Sequence, residues 1–179
     1  MAERIKKFLD QCLEILVMVV FGVLVIDVLW QVFTRYVLNN PSSWTEELAI
    51  FLLIWVALLG AAVALGRGAH LGIDYFVNKL PARTHILVEV FIFLCVALFS
   101  FLVMILGGIE LVKVTLALQQ KSPALGIDMG YVYLAVPISG FFMVLYSVLE
   151  LIGRVRLFMK GPEALKEYKP EHEIPEDVD

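Results

Sequence analysis

The chain has 179 residues, of which 60% are hydrophobic and 18% are charged, and its mean hydropathy is +0.86. Soluble globular domains are about half apolar, so this composition excludes an ordinary soluble fold and indicates an integral membrane protein. The net charge of -4 arises in the last twenty residues and therefore says little about the rest of the chain. The sequence carries no basic footprint for nucleic acid.

The first apolar segment follows a short basic lead-in and predicts a transmembrane helix over about residues 12–36. A helix rises about 1.5 Å per residue, so about twenty apolar residues cross a hydrocarbon core of about 30 Å. Asp27, Gln31 and Arg35 are spaced four residues apart and share one helical face, which we do not expect to contact lipid. Asp27 is the deepest ionisable residue. It either binds an ion or a proton, or it bonds to another helix.

A turn is predicted directly after this helix, at Asn39, Asn40 and Pro41. Ser43 with Glu46 three residues later matches a capping box, which predicts the start of a second helix. The link is short, so the two helices should be antiparallel neighbours.

The charged residues around this turn predict a structural clasp. Arg35 can pair with Glu46 or Glu47 across the short link, and a partly desolvated arginine without such a partner would be unfavourable. The carboxylate that Arg35 does not use, together with the amphipathic Trp44, is then available to solvent or to a docking protein.

The second span covers about residues 46–66 and is uncharged beyond its first turn. Gly60 and Ala64 have the spacing that lets another helix backbone come close. Small residues are also simply tolerated in membrane helices, and the sequence leaves both explanations open.

The next stretch changes character and predicts a short amphipathic interfacial helix over about residues 73–80, because apolar residues recur there at helical spacing. His70 and Asp74 stand four residues apart at its start. They either cap and pack this helix locally or contact a partner protein.

The third span is predicted over about residues 84–112, with a helical pattern that extends to about residue 118 and exceeds the membrane thickness. The fourth is predicted over about residues 129–153, with Asp128 as its N-cap and a kink at Pro137. A four-helix membrane domain over residues 1–158 is therefore followed by an acidic tail, residues 159–179, which we expect to be disordered.

Lysine and arginine placement predicts the orientation. The N-terminus, the second loop and the C-terminus share one side and hold 11 of the 14 basic residues, so both termini should be cytoplasmic. The predicted fold is thus all-α and integral to the membrane, with four transmembrane helices and a cytoplasmic interfacial helix. The link between the first two spans and the loop before the fourth would face outward.

No catalytic, cofactor or metal site is predicted. Cys12 and Cys95 lie within apolar segments, where we expect small buried hydrophobes instead of a disulfide or a metal pair. Haem ligation between spans requires histidines at membrane depth. We place none of the three histidines there.

Two stretches together resemble a known family. The run RYVLNNPSSWTEELAIFLLIWVALLGAAVALGRGAHLGID and the later SPALGIDMGYVYLAVPISG are similar to the small membrane subunit of tripartite ATP-independent periplasmic (TRAP) transporters, the DctQ or SiaQ type. The resemblance covers roughly residues 10–155. Its most telling pieces are the arginine, then Trp44 with Glu46 and Glu47, then His70 and Asp74.

The resemblance implies a non-catalytic scaffold subunit in the bacterial inner membrane. Its partners would be membrane lipids, a separate large elevator-type membrane subunit and a periplasmic binding protein that delivers a carboxylate such as a sialic acid or a C4-dicarboxylate. Sodium and substrate sites would belong to the large subunit. Two alternatives remain: a small stand-alone ion-coupled transporter that works through Asp27, and a membrane anchor or assembly factor with no part in transport.

Overall fold

The computed structural model describes residues 2–40, 42–67 and 82–159. The predicted interfacial helix and almost all of the predicted acidic tail lie outside these residues. Everything below concerns the described part of the chain.

Apart from its connecting turns and loops, the described part is helical, which confirms the predicted all-α fold. Its elements are α1 (Ala2–Tyr36), α2 (Ser43–Gly66), α3 (Ala82–Phe99), a π-helical segment (Ser100–Gly107), α4 (Gly108–Ala117), α5 (Met129–Tyr133) and α6 (Ala135–Met159). Within these residues the only β interaction is an isolated bridge between Lys121 and Asp128.

Four helical stretches in the described residues are long and apolar enough to cross a membrane, as predicted. They are Leu9–Tyr36, Ser43–Gly66, Thr84–Ala117 and Met129–Arg156. The third has 34 residues, which corresponds to about 50 Å of helix at about 1.5 Å per residue. Because a hydrocarbon core is only about 30 Å thick, this helix must tilt or project, as its sequence indicated.

The helices pack in the spatial order α1, α2, α6, α3, so the two central helices belong to different hairpins. The π-helical segment continues α3 and also packs on α6. The buried core lies towards the end that holds the N-terminus, and it is made by Leu13, Leu59, Ala62, Leu65, Phe93 and Tyr146. Within a bilayer, close packing stabilises such a core more than the hydrophobic effect does, because lipid is itself apolar.

The two spans of the second hairpin approach each other closely at two glycines. A Cβ added to Gly140 would lie 2.7 Å from the Cβ of Met104 in the π-helical segment, and one added to Gly108 would lie 3.0 Å from Cδ of Pro137. The fourth span is interrupted at Leu134. This is the disturbance predicted for Pro137, which has no N–H to donate and whose ring clashes with the carbonyl four residues earlier.

The structure tests two packing expectations, one at Gly60 and one at the two cysteines. No atom of the described residues lies within 4 Å of a Cβ added to Gly60, so among these residues no helix approaches closely at Gly60. Cys12 and Cys95 are free and exposed, which contradicts their predicted burial. Both lie on outward faces of apolar helices, where a small apolar side chain can face lipid as readily as a core.

Candidate functional site

The predicted turn between the first two spans is present. Asn39 adopts a left-handed backbone conformation with φ of 51°, which asparagine tolerates better than most residues. The N–H of Asn40 donates to the carbonyl of Thr34 at 3.1 Å and closes the end of α1. The turn therefore sets α1 and α2 antiparallel, as predicted.

The start of α2 differs from the predicted capping box. The N-cap is Ser42 and not Ser43, and the hydroxyl of Thr45 donates to the carbonyl of Ser42 at 2.9 Å while it also contacts the hydroxyl of Ser42. Thr45 is completely buried. The hydroxyl of Thr45 thus closes the first turn of α2 onto Ser42, and Glu46 is exposed.

Glu47 has the most informative contacts in this region. Its Oε1 and Oε2 both accept from the N–H of Ala124 at 3.1 Å, and its Oε2 accepts from the N–H of Leu125 at 3.0 Å. Two successive amides aimed at one carboxylate form a small anion-binding nest. Glu47 therefore links the first hairpin to the loop between α4 and α5, which is part of the second.

Arg35 is not the partner of either carboxylate. Among the described residues it forms no ion pair with Glu46 or Glu47, and its guanidinium lies 5.8 Å from the ring centroid of Tyr36, at exposed positions. An exposed arginine remains hydrated, so the energetic argument for the predicted pair does not apply here. The clasp at this corner is made by Glu47 and backbone amides instead.

The loop that receives Glu47 covers residues 118–128 and has a defined shape of its own. The N–H of Ser122 donates to the carbonyl of Ile127 at 2.8 Å, and the N–H of Gly126 donates to the carbonyl of Ser122 at 3.0 Å. Gly126 has φ of +69°, which favours glycine. Asp128 occupies the N-cap position of the helix that follows, as predicted, although its side chain makes no capping bond.

We call this end of the bundle the loop end; it comprises residues 36–40, 42–47 and 118–131. Several large apolar side chains there are exposed, including Trp44 at 44%. The others are Tyr36, Val37, Leu38, Leu118, Ile127 and Tyr131. Glu46 is also exposed. The two stretches that carry the family resemblance thus meet at one end, through Glu47.

Asp27 is 6% exposed within the first span. Its Oδ2 has no hydrogen-bond partner among the described residues. A buried polar oxygen without a partner is unfavourable, and in a membrane span it is a candidate for function. Of the residues on the same predicted face, Gln31 is half-buried and Arg35 is exposed.

His70 and Asp74 lie outside the described residues, so their roles remain predictions. Within the described residues no three His, Cys, Asp or Glu side chains are placed to hold a metal ion.

The opposite end of the bundle holds polar contacts that the sequence reading did not single out. The hydroxyl of Tyr146 donates to Oδ1 of Asp10 at 2.6 Å, which ties α6 to α1. Arg67 pairs with Glu14, with 2.8 Å between Nη2 and Oε1. These residues, with Val63 and Gly66, line a cavity of about 30 Å³.

A second polar cluster at this end joins α3 to α6. Nε of Arg154 lies 3.5 Å from Oε2 of Glu89, which in turn lies 3.4 Å from Nδ1 of His85, and Arg154 also approaches Glu150 at 3.9 Å. The sequence signal that could have found these contacts is the i, i+4 spacing of His85 with Glu89 and of Glu150 with Arg154.

These features define a multi-pass helical membrane protein. At its loop end it exposes large apolar side chains together with the carboxylate of Glu46. The model of the family described as tripartite ATP-independent periplasmic transporters, DctQ component, matches residues 24–157. The chain belongs to this family.

Three curated relatives extend the comparison. The chain is 26% identical over 157 residues to the sialic acid TRAP transporter small permease protein SiaQ of Vibrio cholerae, covering 88% of this chain and 89% of that one. It is 30% identical over 102 residues to the C4-dicarboxylate TRAP transporter small permease protein DctQ of the same species, covering 57% and 44%. It is 33% identical over 106 residues to the sialic acid TRAP transporter permease protein SiaT of Haemophilus influenzae, covering 51% of this chain and 17% of the relative.

The match to a much longer permease protein agrees with small TRAP subunits working with large permease subunits. The relatives are permease components of transporters, so the chain is a transport subunit and not an enzyme.

Proposed function

We propose that this subunit is a scaffold for a separate large membrane subunit in a sodium-driven importer of organic acids, and that its loop end helps to dock the periplasmic binding protein. The observation that carries the docking role is the bond from Glu47 to the 118–128 loop. This bond gathers both family-like stretches into one surface and leaves Trp44 and Glu46 exposed on it.

The orientation in the proposal rests on charge. Contacts place Glu47 and Ala124 at one end, and Asp10 and Tyr146 at the other. By sequence position, 11 of the 14 basic residues belong to the segments predicted to lie on the side of the termini. The positive-inside rule puts that end in the cytoplasm of a bacterial inner membrane, so the loop end would face the periplasm.

The scaffold role is supported by the outer helices. α1 and the helix from α3 to α4 flank the central pair, and both have long exposed apolar faces. These faces suit lipid on one side and the large subunit on another. For the transported substrate, the names of the relatives support organic acids, with sialic acid and C4-dicarboxylates as the two candidates.

The test is uptake by proteoliposomes that contain this chain and the large subunit, measured against the concentration of binding protein. Trp44→Ala and Glu46→Lys should raise the half-saturating concentration several-fold, because both side chains are exposed at the loop end. Glu14→Gln, at the opposite end, is the control and should leave it unchanged. Co-purification of the two membrane chains should be normal in every variant.

Two results would contradict the proposal. If both loop-end variants respond to the binding protein like the wild type, the docking role is wrong. If the chain purifies without a large subunit and transports substrate alone, the scaffold role is wrong.

A second function is favoured by one observation, the burial of Asp27 with an unpartnered oxygen. In a stand-alone ion-coupled transporter, Asp27→Asn would abolish transport by the chain alone and leave its folding intact. Loss of assembly with transport preserved would instead assign Asp27 a structural role. A pure anchor or assembly factor, the third possibility, predicts that deletion of the chain leaves uptake unchanged.

A further inference from the structure

The bond between Glu47 and the loop is stronger in chemical terms than its position near the surface suggests. An ionised carboxylate that accepts from two backbone amides forms charge-assisted hydrogen bonds, which are stronger than hydrogen bonds between neutral groups. Both oxygens are used, at 3.0 and 3.1 Å. The two N–H groups come from consecutive residues, so a single side chain fixes the local direction of the loop backbone.

The other backbone hydrogen bonds of the loop among the described residues are internal or lead to the two flanking helices, α4 and α5. The N–H of Met129 donates to the carbonyl of Gln120 at 2.8 Å, which closes the loop across its base. Such bonds set the shape of the loop but do not fix its position relative to the first hairpin. The carboxylate of Glu47 supplies that positional restraint.

Glu46 and Glu47 are adjacent yet placed differently. Glu46 is exposed, whereas Glu47 is half-buried and directed at the loop. Successive residues on a helix point about 100° apart, so one carboxylate can hold the loop while its neighbour stays accessible.

We propose that Glu47 is a positioning residue, which acts through the amides of Ala124 and Leu125 to hold the 118–128 loop against the first hairpin in the arrangement that the binding protein recognises. This inference rests on the proposed docking function. Glu47 itself does not contact the binding protein in this arrangement; Glu46 and Trp44 do.

The test uses Glu47→Gln and Glu47→Ala in the complete membrane complex, with Glu46→Gln as the matched control. Glutamine keeps the shape, and its one oxygen can replace Oε2, but it has no charge and its NH₂ cannot accept from the N–H of Ala124 as Oε1 does. Hydrogen exchange is measured by mass spectrometry on a peptide that covers residues 118–128. We expect exchange there to be about tenfold faster in Glu47→Ala, intermediate in Glu47→Gln and unchanged in Glu46→Gln.

Uptake is then measured against binding-protein concentration. Both Glu47 variants should raise the half-saturating concentration in the same order as they speed exchange, with uptake at saturating binding protein unchanged, because the transport machinery of the large subunit is not altered. A purely structural role would instead reduce the amount of assembled complex and the maximal uptake, and that result would overturn the proposal.

Two other outcomes would also overturn it: slow exchange of the loop in Glu47→Ala, or fast exchange with an unchanged half-saturating concentration. Failure of the docking function itself is distinguishable, because Trp44→Ala and Glu46→Lys would then also leave the half-saturating concentration unchanged. If those two variants raise it and the Glu47 variants do not, only the positioning role is wrong.

Discussion

At one end of the bundle a tyrosine hydroxyl on α6 donates to a carboxylate on α1, whereas at the loop end a carboxylate on α2 accepts from two backbone amides. Each contact joins the first hairpin to the second. Tyr146 is 2% exposed and stacks at 6.4 Å on Phe142. Glu47 lies against the 118–128 loop, at the end of the bundle where several apolar side chains are exposed.

The difference indicates a division of roles between the two ends. Contacts around Tyr146 lie in the close-packed core, where removal of atoms leaves a void and weakens the bundle. Contacts around Glu47 order a loop at the surface, where they shape what a partner meets. Substitutions at the Tyr146 end should therefore change stability without changing docking.

Tyr146→Ala should have the largest effect on stability. Removing a buried aromatic ring costs about 3 to 5 kcal/mol, which corresponds to a fall in Tm of about 10 °C for a chain of this size. Thermal unfolding of the purified subunit in detergent measures it. Tyr131→Ala, which truncates a tyrosine that is 57% exposed, is the control and should shift Tm little. Equal shifts in the two variants would contradict the assignment of the core.

Tyr146→Phe should have an intermediate effect, because it keeps the ring and removes only the hydroxyl that donates to Asp10. Loss of a hydrogen bond to a charged group costs about 1.5 to 3 kcal/mol. A double-mutant cycle with Asp10→Ala isolates the pair. The effects of the two changes should be less than additive, and simple additivity would mean that the bond contributes nothing.

Arg67→Gln should have the smallest effect. The Arg67 side chain is 64% exposed and Glu14 is 28% exposed, so solvent screens their ion pair. Such pairs contribute below about 1 kcal/mol. Raising the salt concentration should reduce even this difference in Tm. A loss as large as that of Tyr146→Phe would show that the pair acts as part of the buried cluster and not as a surface contact.

Uptake should also be measured for Tyr146→Ala, Tyr146→Phe and Arg67→Gln, because it separates stability from docking. Their half-saturating concentrations for the binding protein should equal that of the wild type, whereas loop-end variants raise it. A docking defect in Tyr146→Phe would show that the two ends are coupled through the helices.

Much of the fold was predictable because apolar length and helix-breaking residues are local signals. The long third helix and the break near Pro137 followed from the order of residue types. The exact cap of α2 did not, because Ser42 and Ser43 are both good N-caps. The structure places Ser42 at the cap, where its hydroxyl and carbonyl contact the buried Thr45.

The candidate site was predictable in its residues but not in its pairing. Spacing marked Arg35, Glu46 and Glu47 as a group, and opposite charges across a short link favoured an ion pair. The structure places a backbone nest from a loop 77 residues away in sequence within reach of Glu47. Every residue except proline has a backbone amide, so no sequence motif shows which amides will donate to Glu47.

By itself the sequence determined the class of protein, the number of spans and the residues that gather at the loop end, because hydropathy and turn chemistry act over a few neighbouring residues. Only the tertiary structure decided which carboxylate holds the 118–128 loop, which one stays exposed, and that Tyr146 ties α6 to Asp10. These choices depend on the packing order α1, α2, α6, α3, which brings distant segments together and which no local pattern encodes.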